Sequence, residues 1–360
     1  MRVIFDLGHP AHFHLFKHVI SALKNSGHDV EIIARQKGCL PELLETTGWP
    51  YHSVARKASG LIALGWQQAK ALRVAVSLAR QEETDFIVGT SAIAGPAARL
   101  TGATSLIFNE DDAQAVPIFA KSAYPLAHYI VTPDCLKFEN YGPKHLTYAG
   151  YHELAYLHPN WYQPDMRVRE NLGLAPNERC FLIRLVALTA HHDISEKGVS
   201  TAQAVTLVKR LAEHGRVFIS AEERLENELE PYLLSSRAQQ IFDVISVADM
   251  VIGDSQTMTA EAAVLGTPAL RCNTFVGRLT YLEELEHRFG LCVGIRPADF
   301  EALLAQLDQW LSQPDLKQQW QRKRQAMLAK CVDLTGWILE LFEKLVRTVR
   351  PRRKAAPSSQ

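Results

Sequence analysis

No charge of one sign dominates this sequence. Its 39 Lys and Arg residues are matched by 39 Asp and Glu, so the formal net charge is zero, and no whole-molecule field draws in nucleic acid. Cysteine is scarce. The six that occur (Cys39, Cys135, Cys180, Cys272, Cys292 and Cys331) form no C-x-x-C pair, which argues against a zinc or disulfide framework and fits a reducing cytosol. Long apolar runs are missing too: none approaches the ~20 residues that span a bilayer. Residue 2 already enters a strand-like run, so no secretory leader is expected. The expectation is a cytoplasmic protein, peripheral to a membrane at most.

What is present is a globular composition, 47% apolar and 22% charged, over 360 residues. That length exceeds what one core usually covers, so two domains are expected. Short β-rich apolar runs alternate with helical periods. In the first half, "RVIFD" (2–6), "HDVEIIA" (28–34), "DFIVGT" (85–90), "TSLIFN" (104–109), "AHYIVTP" (127–133) and "HLTYAG" (145–150) read as strands. Helices are expected over 11–26, "CLPELLETTG", "SGLIALGWQQAKALRVAVSLARQ" and "SAIAGPAARLTG". Residues 158–178 hold three prolines and no apolar period, so they read as a linker. The pattern then restarts with strands "CFLIRLV", "RVFIS", "ADMVIGDS" and "TPALRC", separated by helices "SEKGVSTAQAVTLVKRLAEHG", "EERLENELEPYLL" and "TMTAEAAVLG".

This is an α/β chain of two Rossmann-like parallel-sheet domains facing a cleft, with boundaries expected at 1–165 and 166–335. A C-terminal helix and basic tail (336–360) follow. The tail "TVRPRRKAAPSSQ" reads as a disordered end or as a peripheral contact with an anionic membrane surface.

Sites in such sheets lie at the carboxyl ends of strands, and polar residues gather there. "DLGHPAHFHLFKHV" places Gly8, His9, His12, His14 and His18 after the first strand. His14 and His18 are four apart and can share a helix face. A metal site lacks the usual supporting acid, and acid–base or structural roles remain open. Gly89, Thr90 and Ser91 offer amides and hydroxyls in the parallel turn. Asn109, Glu110, Asp111 and Asp112 follow a buried strand, either capping the next helix or supplying a general base or sugar ligands. In the second half, Arg184 can pair with a phosphate or a buried carboxylate. His191, His192 and Asp193 sit in a loop suited to substrate or phosphate binding or to local hydrogen bonding. Asp254, Ser255, Gln256 and Thr257 precede or open a helix, where Ser255, Thr257 or Thr259 can cap the first turn and free amides can hold a diphosphate. Glu261, about a turn inside an apolar "TAEAAVLG", can accept ribose hydroxyls or pair locally.

These segments carry a resemblance. The "DSxTMTAEAAVLGTP" pattern in paired α/β domains looks like the GT-B glycosyltransferase fold. "LTAHHDISEKG" and "DSQTMTAEAA" are similar to UDP-N-acetylglucosamine 2-epimerase, which implies His191 facing a cleft, Ser255 on phosphate and Glu261 on ribose. Where the epimerase has an acid in the turn, this chain reads Gly89-Thr90-Ser91, and its Gly-Gly pair is Gln256-Thr257 here. The first loop resembles that of the murein-synthesising N-acetylglucosaminyltransferase, which implies His12 as the base that deprotonates the acceptor. Most specifically, "NEDDAQA", "YAGYHELAYLHP" and "RLVALTAHHDISEKG" resemble the domain of unknown function 354 family, described as glycosyltransferases. The resemblance implies sugar transfer from a nucleotide-sugar donor, expected to be UDP-linked, to an unidentified acceptor in cell-surface or secreted polysaccharide synthesis. His12 would be the base and Glu110 or Asp111 its rival, with no cofactor or metal. The alternatives are a UDP-sugar epimerase or hydrolase, and a non-catalytic nucleotide-sugar-binding protein.

Overall fold

The computed structural model describes the chain apart from residues 55–60, 187–197, 223, 226–227, 235–239 and 356–360, and apart from the side chains of 61–64 and 349–355. The chain divides into two compact units, Met1–Trp161 with Cys331–Gln360, and Tyr162–Lys330.

In the first unit, β1 (Arg2–Leu7), β2 (Asp29–Arg35), β3 (His52–Val54), β4 (Phe86–Gly89), β5 (Thr104–Phe108), β6 (Tyr129–Pro133) and β7 (His145–Tyr148) form one sheet. The order is β3-β2-β1-β4-β5-β6-β7, with every pair parallel. Both faces of a parallel sheet are covered, so its strands read as continuous apolar runs rather than alternating ones; β1, β4 and β5 are buried at every position. Ile4, Ile33, Ile87, Ile107 and Ile130 come from five adjacent strands and pack under Ala71, Ala75, Leu78, Ala94 and Ala97. Each such isoleucine contributes roughly 1.5–3 kcal/mol. Small alanines let the helices Leu61–Gln81 and Ala94–Thr101 lie close to the sheet. A second cluster is aromatic. Phe5 meets Phe16 at 5.3 Å, Phe16 meets Phe108 at 5.2 Å, and Phe86 meets Phe342 at 5.3 Å between ring centroids. Phe16 belongs to the helix Pro10–Asn25 and Phe342 to the last helix, Leu334–Ala355, so the end of the chain completes the core begun by its first strand.

The second unit holds β8 (Cys180–Leu185), β9 (Arg216–Ala221), β10 (Met250–Gly253), β11 (Ala269–Cys272) and β12 (Cys292–Ile295), ordered β12-β11-β10-β8-β9 and again all parallel. The helix expected over 222–234 is not formed: among the described residues only a single 3-10 turn, Glu230–Tyr232, occupies the stretch. Pro231 has no amide hydrogen to give a helix interior. The segment 158–178 carries a short helix, Val168–Asn171, between turns.

Each sheet reverses its strand order once, between β1 and β4 and between β8 and β10. In this class of fold, ligands bind at the carboxyl ends of the strands beside such a reversal.

Candidate functional site

At the first reversal stands Asp6, the residue of β1 that lies opposite Gly89 of β4. A Cβ on Gly89 would sit 2.8 Å from the Asp6 carbonyl oxygen, so the two strand ends approach this closely only with glycine at position 89. Asp6 is fully buried. Its Oδ2 accepts from the Ser91 hydroxyl and lies 3.1 Å from Arg35 Nη2, which also donates to Gln68 Oε1 at 3.1 Å. This buried ion pair links β1, β2 and the turn after β4.

The histidines after β1 have separate partners. His9 is the N-cap of the helix Pro10–Asn25: its backbone is extended and its Nδ1 accepts the Ala11 amide at 3.2 Å. Burial, with Lys37 adding to it, holds its pKa down to about 4. His12 Nδ1 accepts the Gly8 amide at 3.1 Å, and its ring lies against the Thr90 hydroxyl, 2.6 Å from Nδ1. With the Nδ1 lone pair given to an amide, the neutral ring carries its proton on Nε2, which also faces Thr90 Oγ1. Burial, then His9 and Arg35, hold His12 well below the usual imidazole range. His14 packs on Tyr156 at 5.3 Å, and His18 stacks on Trp161 at 5.2 Å.

The acids lie at the end of β5. Helix capping is not their role: the next helix, Pro117–Ala123, starts later and has Val116 at its N-cap, with no side-chain cap bond. Asn109 anchors the turn, its amide donating to Val131 O at 3.0 Å and its Nδ2 to Tyr124 Oη at 2.8 Å. Glu110 Oε2 accepts the His152 amide at 3.2 Å, and its Oε1 is 3.4 Å from His152 Nδ1. Burial pushes the Glu110 carboxyl up to about 8, against the pull of that amide. Asp111 is pushed up to about 7 by burial and then by Glu110. His152 is held down to about 4 by burial. Near neutral pH this cluster holds protons that exposed carboxylates would have released.

The second reversal repeats the close approach. Gly253 of β10 lies opposite Arg184 of β8, and a Cβ there would collide with the Arg184 carbonyl. The Arg184 guanidinium is engaged by a carboxylate, donating from Nη2 to Glu222 Oε1 at 2.5 Å and from Nη1 to Ser220 Oγ at 2.8 Å. Asp254 is 4% exposed and ties down neighbouring backbone: Oδ1 accepts the Val186 amide at 2.8 Å and Oδ2 the Val199 amide at 3.3 Å. Burial raises its pKa to about 6. Ser255 is the N-cap of the helix Gln256–Leu265, accepting the Met258 amide at 3.2 Å. Thr259 instead donates to the Ser255 carbonyl at 2.7 Å. Gln256 and Thr257 form the partly exposed first turn, whose amides have no intrahelical partner. Glu261 is 6% exposed, inside a stretch buried from Met258 to Leu265. His191, His192 and Asp193 lie outside the described residues.

Sequence reasoning missed Asp6, Arg35 and His152. Asp6 was legible as the acid ending an otherwise apolar first strand, and His152 stands in the quoted "YAGYHELAYLHP". Arg35 had no local signal. Among the described residues, Glu283, Glu286 and His287 come near one another, but Glu283 Oε1 is spent on buried Arg271 at 3.0 Å and on the Gly277 amide at 3.0 Å. No helix among the described residues is long and apolar enough to cross a membrane.

The fold is that of GT-B glycosyltransferases and UDP-GlcNAc 2-epimerases. A UDP-GlcNAc 2-epimerase from Neisseria meningitidis, solved with UDP-GlcNAc bound, superposes with a TM-score of 0.64 at 12% identity, covering 97% of this chain and 100% of that one. The calicheamicin glycosyltransferase CalG4 gives 0.61 at 11%, covering 99% of each chain. MurG from Acinetobacter baumannii gives 0.58 at 15%, covering 96% and 100%. No curated protein matches the chain in sequence. Residues 1–281 match the family described as "Protein of unknown function (DUF354)", and the chain belongs to that family.

Proposed function

We propose that this chain is a glycosyltransferase that moves a sugar from a nucleotide-sugar donor, UDP-linked, to an acceptor in cell-surface or secreted polysaccharide synthesis. The observation that carries the reading is the helix Gln256–Leu265: it opens at the carboxyl end of β10 with a hydroxyl-rich first turn and holds one buried acid, Glu261. Unpaired amides and the helix dipole suit a diphosphate, and a carboxylate one to two turns deeper suits two vicinal ribose hydroxyls. The helix N-terminus then stabilises the diphosphate as it leaves.

The acceptor is assigned to the first unit. A base must have a free lone pair and a pKa near the working pH. His12 has its Nδ1 committed to Gly8 and is strongly depressed, so its part in this reading is to fix the loop through Thr90. Asp111 and Glu110, raised to about 7 and about 8, take the base's place. The same pair also suits an epimerase that exchanges protons on the donor alone, which keeps that second reading alive.

The test is calorimetric titration with a panel of nucleotides and nucleotide sugars, followed by mass spectrometry of the donor incubated alone. UDP-sugar binding that Glu261→Gln weakens by about 1–3 kcal/mol, roughly 5- to 150-fold, is expected. Equal UDP affinity in variant and wild type removes the ribose assignment. Conversion of the donor without an acceptor replaces transfer with epimerisation or hydrolysis.

A further inference from the structure

The helix Leu61–Gln81 turns one stripe to solvent. Trp66 is 71% exposed, and the exposed Lys70, Arg73, Ser77 and Arg80 follow it at helical spacing. Beside the stripe, Leu72 and Val76 join Leu100 of the helix Ala94–Thr101 to line an open groove of about 560 Å³ with Arg73 and Arg80 on its walls. Leu100 is itself 56% exposed, and Arg99 is exposed next to it. The opposite face of the long helix, Ala71, Ala75, Leu78 and Ala79, is already spent on the sheet.

Two features separate this surface from an ordinary solvated helix. Lys70, Arg73, Arg80 and Arg99 make no ion pair with any described residue. The sequence from Thr46 to Gln81 also contains no Asp or Glu, in a chain where acids and bases are otherwise equal in number. Solvated surfaces intersperse the two signs. Here unopposed cations surround exposed Trp66 and an apolar groove, the composition that seats a helix in the interface of an anionic bilayer. Arginine and lysine meet lipid phosphates, tryptophan lies at the headgroup level, and the groove takes acyl chain.

We propose that this face docks onto an anionic lipid surface, holding the first unit against a membrane. The inference does not rest on the glycosyltransferase reading, and it uses residues other than those of the basic C-terminal tail. The cations suit either polyanion, but the exposed apolar groups favour lipid over nucleic acid, because a polyanion in water leaves Trp66 and Leu100 without a partner.

The full-length protein is tested by flotation with vesicles of phosphatidylcholine alone and of phosphatidylcholine mixed with phosphatidylglycerol. Binding to the mixed vesicles only is expected. Each basic residue near an anionic surface is worth about fivefold in partitioning, so Arg73→Gln/Arg80→Gln should lose roughly 30-fold while its thermal unfolding stays that of the wild type. Trp66 fluorescence should shift to the blue on binding, a change absent from Trp66→Phe. A tail variant, Arg350→Gln/Arg352→Gln/Arg353→Gln, should still bind. The proposal is overturned if the wild type does not bind the mixed vesicles or binds neutral vesicles equally. It is also overturned if Arg73→Gln/Arg80→Gln binds like wild type, or if DNA but not vesicles is bound.

Discussion

Replacing Asp6 by alanine would strip a buried guanidinium of its counter-ion. The side chain of Asp6 is fully buried and that of Arg35 is 9% exposed, 3.1 Å apart. Removing one partner of such a pair costs about 3–5 kcal/mol, because the remaining charge is buried with only the neutral Gln68 Oε1 as acceptor. In a unit of this size each kcal/mol lowers the melting temperature by about 2–4 °C, so a fall of roughly 6–20 °C is expected. The pair itself contributes much less than this loss. An apolar replacement of both partners, Asp6→Leu/Arg35→Met, should recover most of the stability, and the two single variants should be non-additive by 2 kcal/mol or more, roughly. Calorimetry and urea unfolding of the wild type, both single variants and the double variant provide the measurement. Nucleotide affinity, assigned to the second unit, serves as a control and should not change. A loss below about 1 kcal/mol in Asp6→Ala, or additive single variants, would refute the picture of a buried, mutually dependent pair.

Three further outcomes are expected. Gly89→Ala puts a methyl 2.8 Å from the Asp6 carbonyl and should destabilise by about 1–3 kcal/mol; an unchanged unfolding midpoint argues against the close approach. Ser255→Ala removes the cap of the helix Gln256–Leu265, costing about 1 kcal/mol, with Ser255→Thr largely sparing it in the same urea titration. Glu110 and Asp111 keep their protons in the folded chain at pH values where the unfolded chain has lost them, so stability falls as pH rises from the usual carboxylate range through about 8. Glu110→Gln/Asp111→Asn should therefore match wild type near pH 4 and become progressively more stable than it as pH rises to about 8, and a pH-independent difference sinks the assignment.

The parallel α/β architecture was legible because its strands are buried on both faces and hence read as unbroken apolar runs: "RVIFD", "DFIVG" and "MVIG" need no partner to be recognised. β3 and β12 were not. "HSV" is three residues with two exposed, and "CVGI" is mostly half-buried, so neither leaves an apolar run. The expected helix over 222–234 failed for a local reason: Pro231 cannot supply the amide that a helix interior needs, and among the described residues a single 3-10 turn forms around it. At the site, the positions after strands were readable because strand ends carry polar residues. Partners were not. Thr90 reaches His12 across 78 residues, and His152 reaches Glu110 across 42; no spacing rule links them. That is also why His12 looked like a free base: the sequence gives no sign that Gly8 and Thr90 occupy its ring.

The last helix has a consequence for how this chain emerges from the ribosome. Phe342 packs on Phe5 and Phe86, yet the whole second unit, residues 162–330, is made between them. At about 5–20 residues per second, the first sheet waits roughly 10–30 s with the part of its face that Phe342 covers left open. The second unit is continuous in sequence and can close first. A nascent chain of this protein therefore carries exposed aromatic surface for most of its synthesis, and a truncation just before Leu334 leaves that surface open permanently.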